Sequence, residues 1–430
     1  HSTYRVHRRW CILDPQRSAL PEEIGAIMGE VTVTMFRLSD HDKDELVEFL
    51  QDIVRTPSLS GQEDRVATRI AAAMRRAGFR EVYVDRIGNV VGHLGQKKRP
   101  LLLFNGHMDT VGVSDPSVWA HDPFGADILD GVLFGRGACD MKGALTAMIW
   151  GAKLLHDTGV LERLNGELVL VAVVQEEPCE GLATRVLIEE EGVRPDWVVL
   201  GEPSNLQLSR GHRGRVEMEV VTHGRSCHAS RPEIGDNAVY SAARLIFNLE
   251  ILAEQLGYDA FLGPGSLSVT HVESRAGSRN AVPDYARFVV DRRLTLGETE
   301  AKSLAEVQSI IAREKIRAEV RVTEFEGASY TGYKARQRNY FPAWALGAEH
   351  ALIKTAAQAV KKALGRRPNV GQWGFSTDGV YTMGVAGIPT IGFGPGEEKY
   401  AHTADEQIRL QDVFEATSAY AQLAVELLGT

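Results

Sequence analysis

Residues 166–177 read GELVLVAVVQEE. The apolar run 168-LVLVAVV-174 is about strand length, rich in β-branched residues and without polar alternation. That pattern predicts a strand buried on both faces, the kind found in largely parallel sheets. Two carboxylates, Glu176 and Glu177, follow at its carboxyl end. Open α/β sheets hold their ligands at that edge, and adjacent carboxylates near a core are costly unless a cation offsets them.

Working outward, the neighbouring segments keep the same rhythm. Upstream lie two amphipathic helices, the first opening at Ser39 or Asp40 and the second over 64–79. Extended segments follow at 80–94 and 99–107, then an Ala-rich helix from Gly143. Downstream come a helix over 181–192 and a strand at 196–203. Strands alternating with helices of this length predict an α/β sheet, mostly parallel. Near residue 213 the rhythm changes to strand, helix, strand, strand, helix, strand, ending about 325. This is the ferredoxin-like split motif, an α+β insert. After it the α/β pattern resumes with helix 348–364, strand 388–394 and a last helix over 411–428. The organisation expected is therefore an extension at 1–38, one discontinuous domain made of 39–212 and 327–430, and an inserted domain at 213–326. Residues 1–38 carry Arg5, Arg8 and Arg9 with little apolar material. They lack the hydrophobic core of a secretory signal and read as an extension ahead of a start at Met35, or as a peripheral arm.

Composition excludes several classes. Hydrophobic residues are 44 % and charged residues 24 % of the 430, near the average for globular chains, which excludes disordered and fibrous proteins. Lys plus Arg number 48 against 57 Asp plus Glu, a net charge of −9, so a nucleic-acid partner is not expected. No apolar run approaches the roughly 20 residues that span a bilayer, so no membrane partner is expected. Four cysteines in this length are not a disulfide scaffold, and the expected compartment is the reducing cytoplasm.

Five short strings carry chemistry. In 105-NGHMDTV-111, His107 ends an apolar run and Asp109 follows two positions later, so a strand would turn both to one side. A metal ligand with its orienting carboxylate has this form, and so does a capped turn. In 135-GRGACDMKG-143, Asp140 stands at a loop-to-helix junction, where an N-cap would also stand. In 175-QEEPCEG-181 the Glu pair ends the buried strand. Glu202 in 201-GEPS-204 and His402 in 400-YAHTADE-406 each follow a strand. Together these give two imidazoles and several carboxylates without a cysteine pattern, a donor set that suits zinc, manganese or cobalt in a hydrolytic site.

The strings HMDTV, GRGACDMKG, QEEP, GEPS and AHTADE, in this order, resemble the co-catalytic zinc hydrolases. That family includes acetylornithine deacetylase, succinyl-diaminopimelate desuccinylase, aminoacylase and carboxypeptidase G. The likeness runs over residues 40–430, and 173–182 with 289–299 look most similar to a branch called selenium-metabolism hydrolases. The resemblance implies two divalent metal ions, zinc first, with cobalt or manganese as substitutes. His107, Asp140 and Glu202 would hold one, and Asp140, Glu177 and His402 the other. Glu176 would be the general base and Asp109 would orient His107. The insert would be a lid and dimerisation domain, giving a homodimer in which His228 reaches the partner's site. Asn280 and Arg292 would grip a substrate carboxylate, although Arg293 adjoins Arg292 and only one of two strand neighbours can face a ligand. The 374-GFSTDG-379 loop, with Gly374 and Ser376, would contact substrate. The Asp140–Met141 peptide would be cis.

The expected activity is hydrolysis of the amide bond in a small N-acyl or N-carbamoyl amino acid, a deacetylase-like reaction. Two metals sharing a carboxylate supply a nucleophile at neutral pH and charge relief, and an Arg fork suits a carboxylate. A dipeptidase or carboxypeptidase would use the same residues. A glycosidase built on Glu176 and Glu177 is disfavoured, since strand neighbours diverge where glycosidase carboxylates face each other. A binding protein of the same fold would have lost Glu176 or a ligand, and none is lost. Cys139, Cys179 and Cys227 lie beside the motifs and read as small buried residues.

Overall fold

The computed structural model describes residues 36–430. The expected extension lies outside the described residues except at 36–38, where Phe36 is buried in the larger core.

That core surrounds a nine-stranded sheet. Its central strands are Glu167–Val173, Leu101–His107, Trp197–Leu200 and Thr390–Gly392, which lie side by side and parallel. All seven residues of Leu101–His107 are buried, as are six of the seven in Glu167–Val173. Helices Gly143–Asp157 and Leu410–Leu428 pack on each other and on the Leu101–His107 strand. The expectation of a mostly parallel sheet needs correction, because the flanks are antiparallel. Glu81–Val84 pairs antiparallel with Val90–Gly95, which pairs antiparallel with Glu167–Val173. Only residues 85–89 join the first two strands, where a parallel pair needs a crossover of about a dozen or more residues. Asp85 closes that turn by accepting the N–H groups of Ile87, Gly88 and Asn89.

The second core belongs to a five-stranded antiparallel sheet. Four of its strands, Gly214–His223, Ser266–Arg275, Tyr285–Leu294 and Ala318–Val322, alternate with helices Ala238–Ala253 and Glu300–Glu314 in the strand-helix-strand-strand-helix-strand order read from the sequence, and Tyr340–Phe341 adds a fifth beside Gly214–His223. Along Tyr285–Leu294 burial alternates strictly: Ala286, Phe288, Val290, Arg292 and Leu294 are buried, while Arg287, Asp291 and Arg293 take the other face. Among the described residues no helix is long and apolar enough to cross a membrane.

One glycine ties the main sheet to the functional edge. A Cβ at Gly392 would overlap the indole of Trp373. Trp373 is 2 % exposed, and its Nε1 donates to Pro203 O at 2.9 Å, beside Glu202. Gly392→Ala must push a fully packed indole off its carbonyl. We expect it to lower stability by about 1–3 kcal/mol, the range for overpacked cores. A thermal melting midpoint unchanged from wild type would contradict this reading of the glycine.

Candidate metal centre

The parallel strands deliver their last residues to one edge. His107 ends its strand and Glu202 stands two residues past Leu200. Glu176 and Glu177 do not continue their strand. They sit in a turn that starts at Gln175, whose φ is 54°. The divergence expected from strand alternation is therefore produced by a turn. Asp140 comes from the kinked entrance to the Gly143–Asp157 helix, and the Asp140–Met141 peptide is cis. His402 completes the set from a loop position with φ 61°.

These residues form two groups that share Asp140. His107, Asp140 and Glu202 offer ligand atoms all within 4.8 Å of one another, and so do Asp140, Glu177 and His402. His107 Nε2 lies 2.8 Å from Asp140 Oδ1 and 3.9 Å from Glu202 Oε1. His402 Nε2 lies 3.3 Å from Asp140 Oδ2 and 2.9 Å from Glu177 Oε2. Each oxygen of Asp140 thus serves one group. Oε1 of Glu176 and Oε1 of Glu177 are buried without a hydrogen-bond partner. Orphaned buried carboxylate oxygens beside two imidazoles fit a pair of divalent cations, and oxygen and nitrogen donors suit zinc.

The electrostatics point the same way. Burial and neighbouring carboxylates push the Glu176 and Glu202 carboxyls well above their ordinary range. Burial also pushes on Asp140, but its two imidazoles hold it well below. The bonds to Asp140 and Glu177 raise His402 to about 10. Burial disfavours charge on His107, yet Glu202 and Asp140 raise its pKa well above that of a free imidazole. In both groups the carboxylates draw the imidazole toward its charged form, an environment that favours positive charge.

A second ring of acids fixes the first. Asp109 accepts the N–H of Glu176 and the N–H of Glu177, both at 3.2 Å, and Ser60 Oγ at 2.7 Å. Its main-chain O lies 2.9 Å from His107 Nδ1, whereas its carboxylate is 3.7 Å away. Asp109, expected to meet His107 with its carboxylate, meets the ring with its carbonyl instead and gives the carboxylate to the Glu pair. Glu63 accepts the N–H of Gly61 and of Gln175. Glu406 accepts from Arg136 and from the N–H groups of Cys139 and Asp140. Glu406 ends the AHTADE string, so a signal for it existed; Glu63 stands in no motif.

Beside the Glu pair lies a cavity of about 340 Å³, lined by the second metal group together with Glu176, Glu180, Arg215, Arg293, Ser376 and Phe375, among others. Ser376 is there as expected, and Gly374 O accepts Arg213 Nη2 at 3.3 Å. The expected carboxylate grip by Arg292 needs correction. Arg292 has no exposed surface, bonds Glu298 at 2.7 Å and approaches Glu306 at 3.4 Å. Strand alternation places it on the core face with Phe288 and Val290, and gives the cavity to Arg293. His228 and Asn280 are exposed and adjacent: Ala229 N donates to Asn280 O at 2.8 Å, and neither lines the cavity. Cys139 and Cys179 are buried thiols whose pKa values burial pushes up.

The family model described as peptidase family M20/M25/M40 matches residues 103–426. An Escherichia coli K12 protein called uncharacterized protein YgeY is 38 % identical over 394 residues, covering 92 % of this chain and 97 % of its own. Succinyl-diaminopimelate desuccinylase 2 of Ruegeria sp. TM1040 is 25 % identical over 396 residues, covering 89 % of this chain and 95 % of its own. Among solved structures, an M20 family metallo-carboxypeptidase, Sso-CP2 from Sulfolobus solfataricus, superposes with a TM-score of 0.71 at 19 % identity, covering 89 % of this chain and 98 % of that one.

His212 secures the 374–379 loop. It is fully buried; Nδ1 faces Arg213 O at 2.8 Å and Nε2 accepts Thr377 N–H at 3.2 Å. Burial lowers its pKa to about 4. The unfolded chain, with an ordinary value near 6.5, binds that proton first. Stability is therefore lost as pH falls from about 6.5 through about 4, by at most about 3 kcal/mol for this group. His212→Gln should flatten the fall in melting temperature across that window. Parallel wild-type and variant curves would show that His212 does not titrate on unfolding.

Proposed function

The chain belongs to peptidase family M20/M25/M40, and on that premise we propose that it is a two-metal hydrolase, zinc-loaded, that cleaves the amide bond of a small N-acyl or N-carbamoyl amino acid. One observation carries the reading: two imidazole–carboxylate groups share Asp140 beside Glu176, a buried carboxylate with an unpartnered oxygen that belongs to neither group. When bound, the ions polarise the amide carbonyl and acidify a water. Glu176 lines the cavity and has an oxygen to spare. Its role is to take a proton from the attacking water and pass it to the leaving nitrogen. Burial favours its protonated form, which suits the second half of that transfer. Asp109 keeps the base in place through the Glu176 N–H. Arg293, with Nε and Nη2 on Asp291, keeps Nη1 for the substrate carboxylate.

Glu398 supports a second reading, since a dipeptide's free α-amino group needs an anion and Glu398 lines the same cavity. The dipeptidase and the deacylase differ only in what that wall meets.

The five-stranded unit serves in this proposal as lid and dimerisation domain. The Ala238–Ala253 helix exposes Tyr240, Phe247 and Ile251 along one stripe, and the adjacent Ser266–Arg275 strand is a sheet edge that exposes Val272. A second copy covers such an apolar face and edge. His228, which does not line its own cavity, would then act in the partner's. The thiols of Cys139, Cys179 and Cys227 accord with a cytoplasmic location.

A panel of N-acyl, N-carbamoyl and dipeptide substrates offered to the metal-loaded protein tests the activity. Glu176→Gln should keep both metals and lose about 10²–10⁴ in turnover, the range for a general base. Metal analysis showing stoichiometric loss, or near-wild-type turnover, would reassign the residue. Inactive His228→Ala mixed with inactive Glu176→Gln should regain activity as subunits exchange. A fully active monomer in light scattering would end the dimer proposal.

A further inference from the structure

Two arginines face each other at the border of the cavity. Arg215 on the Gly214–His223 strand is the register partner of Arg293 on Tyr285–Leu294, and both line the cavity. Like charges directly opposite on antiparallel strands repel, so this pair calls for anions. Arg293 has Asp291 from its own strand, bonded side-on through Nε and Nη2 at 2.7 and 3.3 Å, with Nη1 left available.

Arg215 is served differently. Its guanidinium lies 4.8 Å from the Phe341 ring centre, and its Nε is buried without a partner. Its Nη2 meets Glu180 Oε2 at 3.0 Å, and Glu180 Oε1 accepts Ser376 Oγ at 2.6 Å. Glu180 is only 8 % exposed. It comes from the loop just past the Glu pair, not from the sheet, and lines the cavity with the two residues it bonds. A substrate carboxylate would present itself to Arg215 and Ser376 in the same way: one oxygen on a guanidinium, the other on a hydroxyl.

We propose that Glu180 is a built-in occupant of a second carboxylate position, so that the cavity accepts amides with one carboxylate and rejects those whose acyl group carries another. This rests on the amide-hydrolase reading for its substrates, while the occupancy itself is a matter of binding. A succinyl or glutaryl group would have to displace Glu180 and leave that charge buried beside Glu176 without a partner. An acetyl or butyryl group disturbs nothing. Without the Glu180 charge the balance reverses: Arg215 becomes the unpaired buried ion, and an incoming carboxylate satisfies it.

The test uses the metal-loaded full chain and two probes that differ by one terminal carboxylate, glutarate and butyrate, read by calorimetry. Wild type should hold glutarate no more than a few-fold better than butyrate. Glu180→Ser should tighten glutarate by about tenfold or more relative to butyrate, and Glu180→Ser with Arg215→Met should abolish the gain. Glu180→Gln keeps the volume and hydrogen-bonding capacity without the charge, and should shift in the same direction if the serine variant unfolds. A wild type that already prefers glutarate by tenfold, an unchanged ratio in folded variants, or a gain that survives loss of Arg215 would each overturn the proposal. Turnover of N-succinyl against N-butyryl amino acids separates the two readings. A glutarate gain without turnover of any amide would leave the occupancy standing and sink the hydrolase; turnover without the gain would do the reverse.

Discussion

Four carboxylates, those of Asp140, Glu176, Glu177 and Glu202, crowd one largely buried sheet edge beside two imidazoles. In a medium of low dielectric such charges repel strongly and lose their hydration. The surrounding structure answers that constraint. Main-chain N–H groups are aimed at the acids behind the site: two at Asp109, two at Glu63, two at Glu406. The loops that carry the outer carboxylates are thus pinned by inner ones. A divalent cation is the group that such an arrangement of carboxylates and imidazoles suits.

The edge also explains why the sheet takes the form it does. Only parallel neighbours end on the same side, and three of them place His107, the Glu turn and Glu202 together. The antiparallel flanks contribute no ligand. The smaller sheet contributes no ligand either, but it sets Arg215 and Arg293 against the cavity.

Much of this was legible in the sequence, because it depends on local pattern. The apolar run 168–174 gave the buried strand, and the ordered strings held the five residues of the two groups and Glu176, which the structure brings together. What was not legible depends on register or on distant partners. Arg292 and Arg293 are indistinguishable as types; which one faces the core follows from the alternation of Phe288, Val290 and Leu294 along the strand. The short 85–89 turn likewise held the antiparallel hairpin in plain view. Glu63, by contrast, meets Gln175 across 112 residues, and Glu180 meets Arg215 and Ser376 on two other segments. No spacing rule reaches that far.

Asp109 meets His107 with its carbonyl and the Glu turn with its carboxylate. Both contacts belong to one residue, so the separation between the two ligand sets is set largely by covalent bonds. Packing elsewhere can slacken without changing it. The smaller sheet meets the Glu turn through Glu180, which is buried and bonded to Arg215 on that sheet and to Ser376 on the other side. The gauge of the site is therefore held from within its own sheet edge, while the neighbouring sheet shapes the cavity wall rather than the spacing of the two groups.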